Sequence, residues 1–236
     1  MGGQSMRPLG LIGGISWRST AKYYARINSA VNEHFGNNTN PPLFLANVDQ
    51  AQVHRNQLAG DWDAVADLFA DAARRLEATG VASLMFCAST PHKVYDAVAR
   101  QVEVPFLHIG DAIGQALLGE SVSTAGFIGT RFSMEGEFVT QRIRLSCKRV
   151  LVPHDPAVSA ELQRIVREEL SVGRRVDSSV EFITRVVEDL AARGAEGVVL
   201  GCTEFPALLE ETDLSVRTFD ALEIHANAAV EFVLSG

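Results

Sequence analysis

The sequence has no apolar run approaching the roughly 20 residues needed to span a bilayer. Its opening, MGGQSMRPLG, lacks an apolar signal region, and residues 1–5 read as an addition ahead of a native start at Met6. Basic residues are in the minority: 21 Lys and Arg against 29 Asp and Glu leave a net charge of −8. That balance argues against a nucleic-acid partner, whose phosphates call for a basic patch. It leaves room for a small anion, which a few local donors can hold. Three cysteines with no CxxC pair suggest neither a disulfide framework nor a zinc ribbon. They fit a reducing cytoplasmic setting, where thiols persist. The six histidines show no HExxH spacing, the glycines form no GxGxxG, and there is no P-loop. No metal and no nucleotide cofactor are therefore expected.

What is present is ordinary for a folded soluble chain: 47% apolar and 21% charged residues. A length of 236 residues suits one large domain or two small ones. Short apolar runs at 9–12, 43–48, 81–86, 105–109, 124–128, 149–152, 198–200 and 216–219 read as strands. Helical segments are expected at 17–35, 61–78, 91–100, 110–118, 134–145, 156–170, 178–192, 208–211 and 222–234. Residues 49–60 read as a long, polar, partly irregular stretch, and loops of that length are often functional. Strands alternating with helices predict an α/β protein with parallel sheets. The order of events repeats, so two similar α/β domains are expected, the second inserted into the first. The boundaries read from sequence are 8–103 plus 210–236 for the first domain and 104–209 for the second. The site is expected in a cleft between them, at the carboxyl ends of the strands.

Two stretches carry the chemistry. GVVLGCTEFP at 197–206 and SLMFCASTPH at 83–92 are each an apolar strand, a cysteine, small hydroxylated residues and a proline near a helix start. Inverting a carbon centre needs a proton removed from one face and one returned to the other. Two acid/base groups on opposite sides meet that need, and a thiol suits it because its pKa can be tuned toward neutrality. Cys87 and Cys202 are the expected catalytic pair. Ser89, Thr90 and Thr203 are hydroxyls placed beside them, and the turns at Gly13, Gly14, Gly129 and Thr130 offer backbone N–H groups to developing charge. The GGIS turn, with Gly14 and Ser16, is a natural carboxylate site. His92 could tune the Cys87 thiol or bond the backbone; Glu204 could orient Cys202 or cap a helix. Arg55 is the first candidate for a distal carboxylate, with Arg131, Arg174 and Arg175 as alternatives. Cys147 follows a helix end without strand or hydroxylated turn, and reads as structural or simply exposed.

GLIGGISWRSTAKYY, FCASTPH, GTRFSM and LGCTEFP together resemble the aspartate/glutamate racemase family, on its aspartate side. The resemblance implies a cofactor-independent amino-acid racemase with a catalytic cysteine from each of two pseudo-symmetric domains, acting on aspartate or, next, glutamate. It also implies a homodimer, a small amino-acid or dicarboxylate substrate, and neither membrane nor nucleic acid as partner. Ser89 stands where the family usually has Asn, and Ser133 where Thr is frequent. Related folds use one or two cysteines for hydantoin racemisation, maleate isomerisation or malonate decarboxylation; LGCTE and GGISW favour the amino-acid racemase. A catalytically silent amino-acid-binding protein is the non-enzyme alternative.

Overall fold

The computed structural model describes residues 5–236, so residues 1–4, within the stretch read from sequence as an addition, lie outside the described residues. It divides into two compact units, residues 5–108 with 225–236 and residues 109–224.

The first unit opens with β1 (Leu9–Gly13), α1 (Trp17–Phe35) and β2 (Leu43–Asn47), followed by α2 (Gln50–Ala59) and α3 (Trp62–Glu77). Then come β3 (Ser83–Phe86), a 3₁₀ turn (Thr90–Val94), α4 (Tyr95–Ala99) and β4 (Phe106–Leu107). The strands form one parallel sheet in the order β2-β1-β3-β4. β1 and β3 are buried along their whole length, as befits central strands covered on both faces. Phe69 of α3 packs edge-on against Phe86 of β3 at 5.4 Å, and Phe86 meets Phe106 of β4 at 5.1 Å.

The second unit repeats the scheme. α5 (Ile109–Gly119) leads to β5 (Thr124–Ile128), then α6 (Arg131–Glu135), α7 (Thr140–Ile143) and β6 (Arg149–Leu151). α8 (Pro156–Glu168) and α9 (Asp177–Ala192) precede β7 (Gly197–Leu200), α10 (Phe205–Leu209), β8 (Arg217–Asp220) and α11 (Ala221–Leu234). The parallel sheet runs β6-β5-β7-β8, the same order. The strand at 106–107 pairs with β3 and the one at 217–220 with β7. Both unit boundaries therefore fall later than the sequence suggested: each sheet keeps its own fourth strand, and the division falls inside α11.

Two other expectations change. Residues 49–60 are not irregular but form α2, capped by the Asp49 carboxylate and closed by Gly60 in the left-handed region. The helix expected at 134–145 is two short ones, because Gly136 ends α6 and Glu137 takes φ 55°.

The turn after β1 needs glycine. Gly14 has φ 105°, and a Cβ there would fall 2.1 Å from the Val48 carbonyl oxygen. Its N–H donates to Thr20 Oγ1 at 3.1 Å. Gly14→Ala combines a left-handed alanine with backbone overlap, and is expected to lower stability by about 2 kcal/mol or more. An unchanged urea unfolding midpoint would contradict this.

Candidate active site

In both sheets the chain runs from the first central strand to one side and returns to the other, so the strand order reverses between β1 and β3 and between β5 and β7. Open α/β sheets bind ligands outside the carboxyl ends of the strands at such a reversal. Both conspicuous cysteines lie at these ends.

Cys202 follows β7 after Gly201, whose N–H donates to the Ile128 carbonyl at 2.7 Å and closes the ladder. Gly201 has no room for a side chain: a Cβ would sit 2.5 Å from the Phe127 ring. The next residue turns away from the sheet, and the Cys202 sulfhydryl donates to Glu204 Oε2 at 3.2 Å. Thr203 Oγ1 donates to the same carboxylate oxygen at 2.6 Å. A thiol, a hydroxyl and a carboxylate are thus joined at one sheet edge, with a proton acceptor in contact with the sulfur. Cys202 is 7% exposed, while Thr203 and Glu204 are half-buried.

Cys87 is placed differently. It follows β3 directly, and its own N–H closes the ladder by donating to the Ile12 carbonyl at 2.9 Å. It is 2% exposed, and burial pushes its thiol far above the ordinary range. The two cysteine turns are therefore not superposable residue by residue, as their sequence likeness had suggested. Ala88 and Ser89, next along, are half-exposed. His92 folds back beneath them, its Nδ1 at 3.1 Å from both the Ala88 and Ser89 carbonyls. Carbonyls only accept, so Nδ1 carries the hydrogen. His92 thus bonds the backbone of the turn, the second of the two roles open to it. Cys147 is buried, its sulfhydryl pointing to the Arg149 carbonyl at 3.4 Å.

The sequence profile of the Asp/Glu/Hydantoin racemase family matches residues 12–229. The chain belongs to that family. A structure from Yersinia pestis assigned as an Asp/Glu racemase is 35% identical, with a TM-score of 0.90 over 97% of this chain and 100% of that one. An aspartate racemase homologue from Pyrococcus horikoshii is 32% identical, with a TM-score of 0.81 over 98% of this chain and 100% of that one. A glutamate racemase from Deinococcus radiodurans is 27% identical over 146 residues, which are 61% of this chain and 49% of that protein. The chain thus matches about half the length of that curated relative. The Deinococcus radiodurans protein is a racemase, a class of isomerase.

Of the other residues expected in a racemase site, several are occupied with shaping their turns. Ser16 caps α1, accepting from the Ser19 N–H at 3.4 Å. Thr130 caps α6, and Ser133 Oγ donates to the Thr130 carbonyl at 2.9 Å. Thr90 and Ser133 are buried. The candidate arginines are spread out. Arg55 is exposed on α2, Arg131 pairs with Glu135 at 3.5 Å, Arg175 approaches Glu211 at 3.8 Å, and Arg174 is exposed. Among the described residues, no helix is long and apolar enough to cross a membrane, and there is no cluster of three or more metal-ligating side chains.

The sequence reading missed a buried histidine group in the first unit. The rings of His92 and His108 are 4.3 Å apart, and those of His92 and His225 are 5.9 Å apart. His225 Nε2 lies 3.0 Å from the Leu107 carbonyl, so it donates; Nδ1 then accepts from the Tyr23 hydroxyl at 3.1 Å. Burial, with His108 and His225 alongside, holds His92 well below the usual imidazole range, and burial lowers His225 to about 4. Sequence spacing carries no sign of this group, because α11 supplies His225 from the far end of the chain.

Proposed function

We propose that this chain moves the α-proton of an acidic amino acid without a cofactor, racemising aspartate or, next, glutamate, with Cys202 as the acid/base group. The observation that carries the reading is a thiol beside a strand reversal, in hydrogen-bond contact with a carboxylate. Such a thiol, once its proton passes to Glu204, can take the proton from a substrate carbon. The electron pair left behind delocalises into the substrate carboxylate, where charge develops and fixed N–H and hydroxyl donors lower the barrier. The first turn of α1, after Gly14 and Ser16, supplies such N–H groups at the end of a long helix. Ser89, Thr90, Thr130, Ser133 and Thr203 are the hydroxyls proposed to bind the substrate. Glu204 is a positioning residue for the sulfur, and Arg55 remains the proposed partner of a distal carboxylate.

The test is ¹H NMR of L- and D-aspartate and L- and D-glutamate in deuterated water, with chiral chromatography of the same samples. Loss of the α-proton signal and growth of the opposite enantiomer, without added cofactor, is the expected result. No exchange with any of the four would end the reading.

A further inference from the structure

The two sheets share more than strand order; they share a residue frame. Leu9–Ile12 pair with Ser83–Phe86, and Ala125–Ile128 pair with Gly197–Leu200. Ala82 donates to the Pro8 carbonyl at 2.8 Å, and Glu196 donates to the Thr124 carbonyl at 2.8 Å. The interior agrees. Gly10 is a glycine because a Cβ would strike Leu84 and Leu76; Gly126 is one because it would strike Val198 and Leu190. The helices carrying Leu76 and Leu190, α3 and α9, are both 16 residues long. Pairing, turn bonds and side-chain packing thus set Phe86 against Leu200 as counterparts. The ladder-closing N–H groups of Cys87 and Gly201 are then counterparts as well. One position further on, the counterpart of Cys202 is Ala88, and that of Thr203 is Ser89.

The side chains fit this frame. In the second sheet the space beside the ladder-closing residue is filled by Phe127, which is why Gly201 has no side chain. In the first sheet the residue corresponding to Phe127 is Leu11, which is smaller. Cys87 stands where Gly201 does, with the volume of a small apolar residue to fill that space, and it is all but sealed from solvent. Free cysteine is well suited to such packing. Ala88, by contrast, is half-exposed, and its carbonyl is held by His92 Nδ1.

We infer that Ala88, not Cys87, is the first unit's counterpart of Cys202, and that this chain presents one thiol rather than two for proton transfer. The inference rests on the reading of Cys202 as the proton-transfer group. Its consequence is directional. A Cys202 thiolate removes the α-proton from one face of the carbon, and the C–H pair moves into the carboxylate. The resulting thiol can return a solvent-derived proton to the same face, which is exchange with retention. Inversion requires a proton delivered to the other face by a group other than cysteine: solvent water, or the Ser89 hydroxyl relaying from it. Position 88 thereby sets how far exchange leads to racemisation.

The experiment compares wild type, Cys87→Ala and Ala88→Cys in deuterated water, alongside timed alkylation of the native wild type with iodoacetamide read by peptide mass spectrometry. One enantiomer should lose its α-proton at least about tenfold faster than it inverts. Cys87→Ala should keep that exchange within about threefold, and Ala88→Cys should narrow the gap between exchange and inversion. Cys87 should be alkylated at least about tenfold more slowly than Cys202. Loss of exchange in a Cys87→Ala protein whose circular dichroism and melting are unchanged would overturn the inference, as would equal exchange and inversion rates in wild type. If wild type exchanges no acidic amino acid, the functional reading fails instead. The alkylation arm still decides this inference: Cys87 labelled as fast as Cys202 in the folded protein overturns it.

Discussion

Cys202→Ser is expected to cut α-proton exchange by about 10³-fold, within the range of roughly 10² to 10⁴ that positioned acid–base groups contribute. The substitution keeps a donor of similar shape at the site, so Glu204 Oε2 still accepts a hydrogen bond and Thr203 keeps its own. What it removes is acidity: a hydroxyl holds its proton far more tightly than a thiol, and no base forms. Cys202 is buried at the margin of the second unit's core, but serine is close to it in size and keeps the bond to Glu204, so the melting temperature should move by no more than a few degrees. The combination of a large rate loss and an unchanged melt separates a chemical role from a packing role. A rate within threefold of wild type would rule Cys202 out. Glu204→Gln supplies the finer control. Its amide oxygen still accepts from the thiol but cannot take the proton, so kcat should fall about tenfold with KM little changed.

How much of this could be read in the sequence depended on whether the signal was local. α1 was readable to the residue, because Ser16 caps its start and Gly36 ends it. β3 and β7 were readable as unbroken apolar runs, since central parallel strands are covered on both faces. α2 was not, because only Val53 is buried in it, so its sequence has no apolar stripe; Asp49 and Gly60 were the signals available. β4 and β8 were found but assigned to the wrong sheets, because a strand does not name its partner. Cys202 stood out for the same local reasons as its strand. The one-position difference between Cys87 and Cys202 did not, because register belongs to the pairing of two strands and a slip of one residue reverses which face a side chain takes. Motif likeness aligned the cysteines; the ladder aligns Cys87 with Gly201. The histidine group was out of reach for a similar reason, since the topology joins residues 92, 108 and 225.

That group makes the first unit acid-sensitive in a defined window. His225 is neutral when folded, with Nε2 donating to Leu107 and Nδ1 accepting from Tyr23; a proton on Nδ1 would turn that acceptor into a second donor. Its value falls from 6.5 to about 4 on burial. Between those limits the unfolded chain binds a proton that the folded chain refuses, so stability rises with pH there. The stabilisation is complete above pH 6.5 and is lost as pH falls toward 4. At 1.36 kcal/mol per unit the loss approaches about 3 kcal/mol from His225 alone. His92, lowered by burial and by His108 and His225, acts in the same direction, as does His54 on α2. Carboxylates held below their usual 4.5, such as Glu161 and Glu188, add their losses only in more acidic solution. Urea unfolding at pH 7.0, 6.0 and 5.0 therefore isolates the histidines. Stability should fall by about 2 kcal/mol across that range for His225 alone, and His225→Gln should remove that share of the slope even if it lowers stability at pH 7.0. A variant with the wild-type slope would show that the buried imidazole is not what acid attacks.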